Sequence, residues 1–539
     1  MKDDRRFFPG VAFLIITLFS WHTQKTGCID YQTKMTRAEK LVDDAILFFK
    51  KTSRNKACRD FTYDERWQDG SLMIFVDDIA GNRLVSHNFL ASIWETDLNL
   101  KNMFGEPTFP LILEAAKRGG GWVPIFLLNG LGYTYVRSVE KNKRKYIIGT
   151  GIFCDYEPDL VCRLLLKSIK RYWYNKNSIF DIFELISNSF GPCVFGNIYA
   201  TVIDPDGVCW AHGNNTLLIG KNLLDSSYRD APIFKKIVDF CKKDETKAGM
   251  IEAHGKTYAK KMYFRKIINP QTHKPFIVIV NYCPNLTQKT VLQVAENVTK
   301  AFKTNKRSEV FQEINGIQKT DMTLRENDCL KCMILDTNYA IRAYDRLQDS
   351  ALIGRNYLAY VDQKERPFTQ LIKSKIETEG KGWITRYSRN SLERIYAEKI
   401  ETDEKPVILV IFGYYPTDKK EVASVLVDDA HRYLLDHPMP KTLAAFVQPD
   451  SPFIKGDVQV SLYDRQGFCW IGGLNKAAIW SQDTTWPQAH EGWVSDRRTK
   501  NELKRFKKNI GEVLPNIGEK FMLGATYFED RPKTKFEKK

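Results

Sequence analysis

The sequence predicts an α+β fold class, built as four tandem modules in which an antiparallel sheet follows a long N-terminal helix. Three observations predict it. A short strand ending in an Asp-containing turn recurs four times, at Leu72 to Gly81, Tyr199 to Gly207, Lys331 to Tyr339 and Gln459 to Gly467. The turn aspartates Asp77, Asp204, Asp336 and Asp464 are separated by 127, 132 and 128 positions, near-equal steps that describe one repeated unit. A glycine that opens a strand returns in the same phase, at Gly121-Trp122, Gly249-Met250, Gly382-Trp383 and Gly492-Trp493.

Each unit begins with apolar residues at helical spacing, over Arg37 to Lys50, Leu160 to Tyr172, Val291 to Phe302 and Lys419 to Leu434. Pro158, Pro284 and Pro416 stand before the last three, where a proline stops a strand and fixes the approach to the next helix. The Asp turn then leads into a second strand, Leu84 to His87, Cys209 to His212, Ile341 to Tyr344 and Cys469 to Ile471. An irregular connection follows, with Leu218-Ile-Gly-Lys-Asn222 matched by Leu352-Ile-Gly-Arg-Asn356, and then an amphipathic helix at Phe109 to Lys117, Ile233 to Lys242 and Phe368 to Ile376. The Gly119-Gly120-Gly121 run precedes a strand, not a helix, so it reads as a helix-ending turn that needs positive φ rather than a phosphate loop. Two strands close the unit. The first carries Tyr135 and Arg137, Tyr258 and Lys260, Tyr396, or Phe506; the second is Ile147 to Phe153, Phe276 to Tyr282, Val407 to Tyr414 or Lys520 to Tyr527. The resulting boundaries are 34–157, 158–284, 285–416 and a degenerate 417–530.

Ahead of these units, Lys2, Arg5 and Arg6 precede an apolar run from Val11 to Phe19, the order of a secretory signal over residues 1–27. The run is too short to span a bilayer comfortably, so export to the periplasm or cell exterior is expected. Thr26-Gly27-Cys28 ends as a lipoprotein signal does, although Lys25 stands where an aliphatic residue belongs; a lipid anchor at Cys28 is the lesser alternative. The net charge of +16 raises the question of nucleic acid. The densest basic runs, Lys141 to Lys145, Arg497 to Lys508 and Arg531 to Lys539, fall at turns or in the tail with no finger, P-loop or basic helix, so they read as solvated surface. Cys329 and Cys332 form a lone C-x-x-C without a second ligand pair, which argues against zinc; the eleven cysteines are expected as strand residues or local bridges. No nucleophile elbow, His-Glu-x-x-His or Walker loop appears, so the reading is a non-enzyme without a cofactor.

The order of strand, Asp-x-x-Gly turn, strand ending Ala-His, Ile-Gly-Lys-Asn, helix, Gly-Gly-Gly-Trp-Val, Tyr-containing strand and Gly-Thr-Gly-Ile-Phe resembles the Cache sensory domain in its single-module type 2 form. The resemblance covers nearly all of the chain as four copies. It is sharpest at Gly119 to Val123, Gly149 to Phe153 and Val202 to Asn222, and faintest in the fourth copy. It implies a PAS-like architecture and binding of small organic molecules, often carboxylates, on the concave side of the sheet. It also implies a signalling partner such as a membrane receptor, because no output domain or membrane span accompanies the units.

Binding a small anion calls for a few directed donors amid apolar walls. The repeat pattern offers His87, Trp122, Tyr135 and Arg137 in the first unit. The second offers Trp210, His212, Asn222, Tyr258 and Lys260, and the third Arg342, Tyr344, Trp383 and Tyr396. The plainer readings stand beside these. An indole after a strand-opening glycine commonly closes a core, strand tyrosines also face solvent or the far side of a sheet, and the turn Asp and Asn222 serve as local caps. The fourth unit has Trp470 and Trp493, but Phe506 lacks the phenol donor. The reading is therefore an exported small-molecule sensor, with a structural or adhesive array of lapsed pockets as the alternative.

Overall fold

Four antiparallel sheets, each of at least five strands, share one strand order in the computed structural model: second, first, fifth, fourth, third. The structure describes residues 31–85, 101–127, 130–175, 178–227, 230–243, 248–254, 259–284, 286–315, 330–344, 352–364, 366–448, 451–464, 466, 468–472, 492–496, 503–514 and 519–528. The predicted signal and Cys28 lie outside these residues. Among the described residues no helix is long and apolar enough to cross a membrane.

Each first strand lies between the hairpin partner that follows it and the strand that closes the unit. In the second sheet Ile198–Ile203 pairs with Cys209–His212 on one side and Pro275–Tyr282 on the other, all antiparallel. The long helices Tyr31–Lys51, Pro158–Asn175, Gln288–Thr304 and Lys419–Asp436 cover one face of each sheet. Pro158 itself opens its helix, while Thr287 Oγ1 and Asp418 Oδ1 accept the amides of Thr290 and Lys420 at the starts of two others. A short second helix follows every long one, at Arg54–Tyr63, Ile179–Ser187, Arg307–Ile314 and Met439–Val447. The sequence reading did not anticipate it, because these segments of ten residues or fewer bury only two or three side chains each and leave a faint periodicity.

The opposite face is covered by the helix of the irregular connection, Thr108–Lys117, Ala231–Lys243 or Phe368–Glu379. Phe75, Ile112, Ala116, Ile125 and Val136 fill this face of the first sheet; Ile203, Phe234, Ile237, Met262 and Ile279 fill the second. The glycine run after Thr108–Lys117 ends that helix as expected, with the Gly120 amide donating to Ala115 O. At Gly120, with φ +117°, an added Cβ would stand 2.7 Å from Val136 O. Gly249 has a different reason: its backbone is extended, and the Phe264 ring occupies the space a Cβ would need.

Two repeat positions shift. In the second, third and fourth sheets Asp204, Asp336 and Asp464 accept the amides two and four residues on. In the first sheet Asp78, not Asp77, accepts from Ala80 and Asn82. Asp77 is buried against Arg83, and burial pushes its carboxyl above the usual range despite that guanidinium. The second shift concerns the strand-opening glycine. Trp122 stands opposite Tyr135, Trp383 opposite Tyr396 and Trp493 opposite Phe506, but Met250 stands opposite Tyr263, so Tyr263 rather than Tyr258 is the equivalent phenol.

The units share cores. Phe126, Leu131, Tyr133 and Cys154 of the first sheet pack with Leu165, Ile169 and Trp173 of the second long helix. Tyr387 and Leu392 of the third sheet join Leu426 and Ala430 of the fourth long helix. Among the described residues Cys58, Cys154, Cys162, Cys193, Cys209 and Cys241 are free thiols, all but Cys58 buried, and Cys283 is disulfide-bonded.

Candidate functional site

Strand alternation decides which face each candidate side chain takes. On Gly130–Lys141, Val136 points to the connection-helix face, so its neighbours Tyr135 and Arg137 point to the long helix. Trp122 Nε1 donates to Glu39 Oε1 at 2.7 Å, its ring lies 5.3 Å from that of Tyr135, and Arg137 pairs with Asp43. Glu39 and Asp43 both belong to the first long helix. The third sheet repeats this: Trp383 lies 5.3 Å from Tyr396 and 5.9 Å from Tyr414, in the cluster beneath Gln288–Thr304. Tyr396 donates to Glu398, and burial with that carboxylate raises its phenol above its ordinary value. These aromatic residues fasten the sheets to their long helices.

Trp210 and Arg342 hold equivalent places six residues after the turn aspartate. The Trp210 indole donates to Asp204 Oδ2 at 2.9 Å, Arg342 Nε to Asp336 Oδ2 at 2.8 Å, and Trp470 Nε1 to Asp464 Oδ2 at 3.1 Å. Asn222 Oδ1 accepts from Leu224 N, and its Nδ2 donates to Asp206 O, closing the Asp turn against the connection. Tyr344 is half-buried against the connection-helix cluster of the third sheet, and its amide donates to Asn315. His87 and Tyr258 lie outside the described residues, as do the side chains of Trp493 and Phe506.

His212 and Lys260 come together on the connection-helix face of the second sheet. A bulge between Cys209 and Ala211 turns His212 to stand opposite Thr201, on the face shared by Tyr199, Thr201 and Ile203. On Ala259–Ile268, Lys260 shares that face with Met262 and Phe264. The His212 ring lies 5.2 Å from the Tyr199 ring, and Lys260 Nζ lies 5.9 Å from the same ring. Lys260 Nζ donates to Asp230 Oδ2 at 2.9 Å in a pair whose side chains are 7% and 12% exposed. His212 Nδ1 accepts the amides of Asn214 and Asn215, which leaves Nε2 to carry the proton and donate.

Two polar atoms on this face have no hydrogen-bond partner among the described residues: Thr201 Oγ1 and Asn281 Oδ1, on residues that are 1% and 3% exposed. Buried polar atoms without partners are rare because each forfeits its hydration. The pattern-based reading missed Tyr199, Thr201, Asp230 and Asn281. Its available signal was a polar side chain inside a strand otherwise apolar throughout, Asn281 in Pro275–Tyr282 and Thr201 in Ile198–Ile203.

A second cluster sits across the sheet, at the start of Pro158–Asn175. Asp159 accepts Tyr263 Oη at 2.7 Å, Tyr282 Oη at 2.6 Å and Lys261 Nζ at 3.2 Å. Burial pushes this carboxyl up, but the three donors outweigh it and hold it below its ordinary value. This is the counterpart of the Trp122 to Glu39 bond and fixes helix to sheet. A groove of about 400 Å³ lies elsewhere, between Arg307–Ile314 and the Asp336 turn, lined by Arg307, Asp336, Arg342 and Glu404. Among the described residues no group of His, Cys, Asp and Glu is arranged to hold a metal ion.

No family model matches the chain, and no curated protein matches it. Solved structures similar to it include a methyl-accepting chemotaxis protein of Vibrio parahaemolyticus, at 13% identity and TM-score 0.19 over 23% of this chain and 91% of that one. The ligand-binding domain of the Pseudomonas fluorescens chemoreceptor CtaA, solved with L-alanine, is 10% identical at TM-score 0.20, covering 47% of this chain and 91% of the other. That of the Pseudomonas aeruginosa amino acid chemoreceptor PctB, solved with L-Arg, is 10% identical at TM-score 0.20, over 45% and 87%.

Proposed function

We propose that this chain is an exported, non-enzymatic small-molecule-binding protein of four Cache-like modules, whose working site is the connection-helix face of the second sheet. The observation that carries this reading is the pair of partnerless buried atoms, Thr201 Oγ1 and Asn281 Oδ1, on the same face as His212, Tyr199 and the Lys260–Asp230 pair. A fold keeps such atoms at a cost in stability, and a bound polar molecule offsets it. Beside these atoms stand the His212 imidazole, the Lys260–Asp230 pair and the Tyr199 ring, the chemistry of a wall that meets a carboxylate, an ammonium or a hydroxyl. The ligand class is therefore a small organic acid or zwitterion, bound without chemical change.

The third unit favours the structural alternative for itself. Its corresponding face is filled by Tyr357, Phe368, Ile372, Ile395 and Phe412, and its internal charges are spent on each other, Arg386 Nε donating to Glu393 Oε2 at 2.6 Å. It serves as a spacer and as a platform for the second unit.

Thermal unfolding of the whole chain against a panel of small carboxylates, amines and amino acids tests the reading, since a ligand that binds only the folded state raises the melting temperature by mass action. The expected result is a concentration-dependent rise for at least one compound, lost in His212→Ala and in Asn281→Leu. A panel with no effect at millimolar concentration on folded protein would overturn it, as would a rise that both variants retain.

A further inference from the structure

The second and third sheets meet where two cations converge on one neutral atom. Arg389, at the tip of the hairpin between Lys381–Ser388 and Ser391–Ile400, donates Nη2 to Asn214 Oδ1 at 2.7 Å. Lys331, the first residue of the third sheet's leading strand, donates Nζ to the same oxygen at 3.0 Å. Two nitrogens at those distances from one oxygen lie no more than 5.7 Å apart. Among the described residues neither is in an ion pair with a carboxylate, and the two full charges meet at one amide oxygen, with the Tyr415 phenol near Arg389.

Other contacts between units are built differently. Lys455 of the fourth unit meets Asp155 of the first at 2.8 Å, with both side chains buried, so that charge is neutralised on contact. Arg389 also sits at φ 53°, where Asn or Gly is accommodated at lower cost, and the turn already has Asn390 beside it at φ 56°. Its main chain and its neighbour do the docking: Gly196 N donates to Arg389 O, and Asn390 Nδ2 donates to Gly191 O and Val194 O. The guanidinium is therefore not needed to hold the hairpin in place.

We propose that this junction binds a small multivalent oxyanion, phosphate-like in charge and size, between Lys331 Nζ and the Arg389 guanidinium. Arg389 offers a planar fork that engages two oxygens, and Lys331 a compact charge for a third. The anion turns a like-charge repulsion into two attractions and ties the second unit to the third. The site is separate from the His212 face and does not depend on it, although the Asn214 main-chain amide that holds His212 Nδ1 belongs to the same residue.

Calorimetric titration of the whole chain with inorganic phosphate, in chloride buffer at matched ionic strength, tests the proposal. We expect saturable one-site binding, at least tenfold weaker in Arg389→Gln and in Lys331→Met, retained in Lys331→Arg, and absent in the Arg389→Gln/Lys331→Met double variant. His212→Ala leaves it unchanged, which separates the site from the one proposed on the second sheet's face. Phosphate binding no better than chloride overturns the proposal, and so does undiminished binding by the double variant. Should the double variant fail to fold, hydrogen exchange of the wild type decides: phosphate-dependent protection over 191–196 and 388–391 supports the site, and unchanged exchange there refutes it.

Discussion

Replacing Thr201 by valine should stabilise the protein while removing its ligand response. Thr201 is 1% exposed, its Oγ1 has no partner among the described residues, and it stands in register with His212 on one side and Ile279 on the other. Valine has nearly the same shape, keeps the branched Cβ that suits a strand, and exchanges an unsatisfied hydroxyl for a methyl. A buried donor or acceptor left unmade costs about 1–3 kcal/mol, and the lower end is the fair figure for a hydroxyl free to rotate. Asn281→Leu removes a second such atom, losing only a long 3.4 Å bond to Tyr199 O, so the pair of substitutions should gain about 2 kcal/mol. The first two units share a core, which makes the unfolding unit roughly 250 residues, and there about 2 kcal/mol raises the melting temperature by about 4–8 °C. Scanning calorimetry of wild type and both variants without ligand measures this directly. A fall of more than about 2 °C in either variant would show that these atoms are satisfied inside the fold, at a scale where about 1 kcal/mol moves the midpoint by 2–4 °C. The observation behind the proposed site would then disappear.

Three further outcomes follow from the geometry. Glu393→Leu strands the Arg386 guanidinium and the Gly413 amide, both now bonded to that carboxylate, and should cost about 3–5 kcal/mol, read as lost exchange protection over Val407–Tyr414; adding Arg386→Met should recover most of it. Trp122→Phe gives up the bond to Glu39 and should cost about 1 kcal/mol in thermal unfolding, while any ligand found for the protein binds with unchanged affinity, because this indole faces the long helix. Burial pushes the Cys209 thiol up to about 12 and the Cys241 thiol up to about 11. Folded-state values raised in this way give stability that is complete below the ordinary thiol pKa of about 8.5 and is lost as pH climbs through the raised values, at up to about 1.4 kcal/mol per pH unit for each thiol. Urea midpoints should therefore fall between pH 8 and pH 11, and fall less in Cys209→Ala/Cys241→Ala.

The mixed helix and antiparallel-sheet architecture was legible because a turn aspartate and a strand-opening glycine both have local causes. An Asx turn and a positive φ leave marks within a few residues. The strand order was not, since pairing the first strand with the fifth is a contact across many tens of residues that no local pattern encodes. Nor could the pattern tell one face of a sheet from the other. Both faces here are covered by helices, so Tyr135 and Val136 sit on opposite sides of one strand and are both apolar enough for either. That is why Trp122, Tyr135, Arg137, Trp383 and Tyr396 fasten long helices, as Tyr263 does through Asp159. Lys260 was selected as the partner of Tyr258 in a register that the sheet replaces with Met250 opposite Tyr263; it lies on the His212 face for an unrelated reason, two residues before Met262. The bulge that turns His212 is invisible in sequence, whereas Thr201 and Asn281 stand out there as isolated polar residues within apolar strands.

The shared cores have a mechanical meaning. Pulled from its ends, a string of four independent beads gives four evenly spaced force peaks. Here Tyr133 and Phe126 are embedded among the side chains of Pro158–Asn175, and Tyr387 and Leu392 among those of Lys419–Asp436, so a bead cannot yield without loosening its neighbour. The chain should extend in two large steps, each paying out about 800–900 Å of polypeptide. Between them the seam at Gly196, Arg389 and Asn390 and the buried Lys455–Asp155 pair, both joining one half to the other, part first.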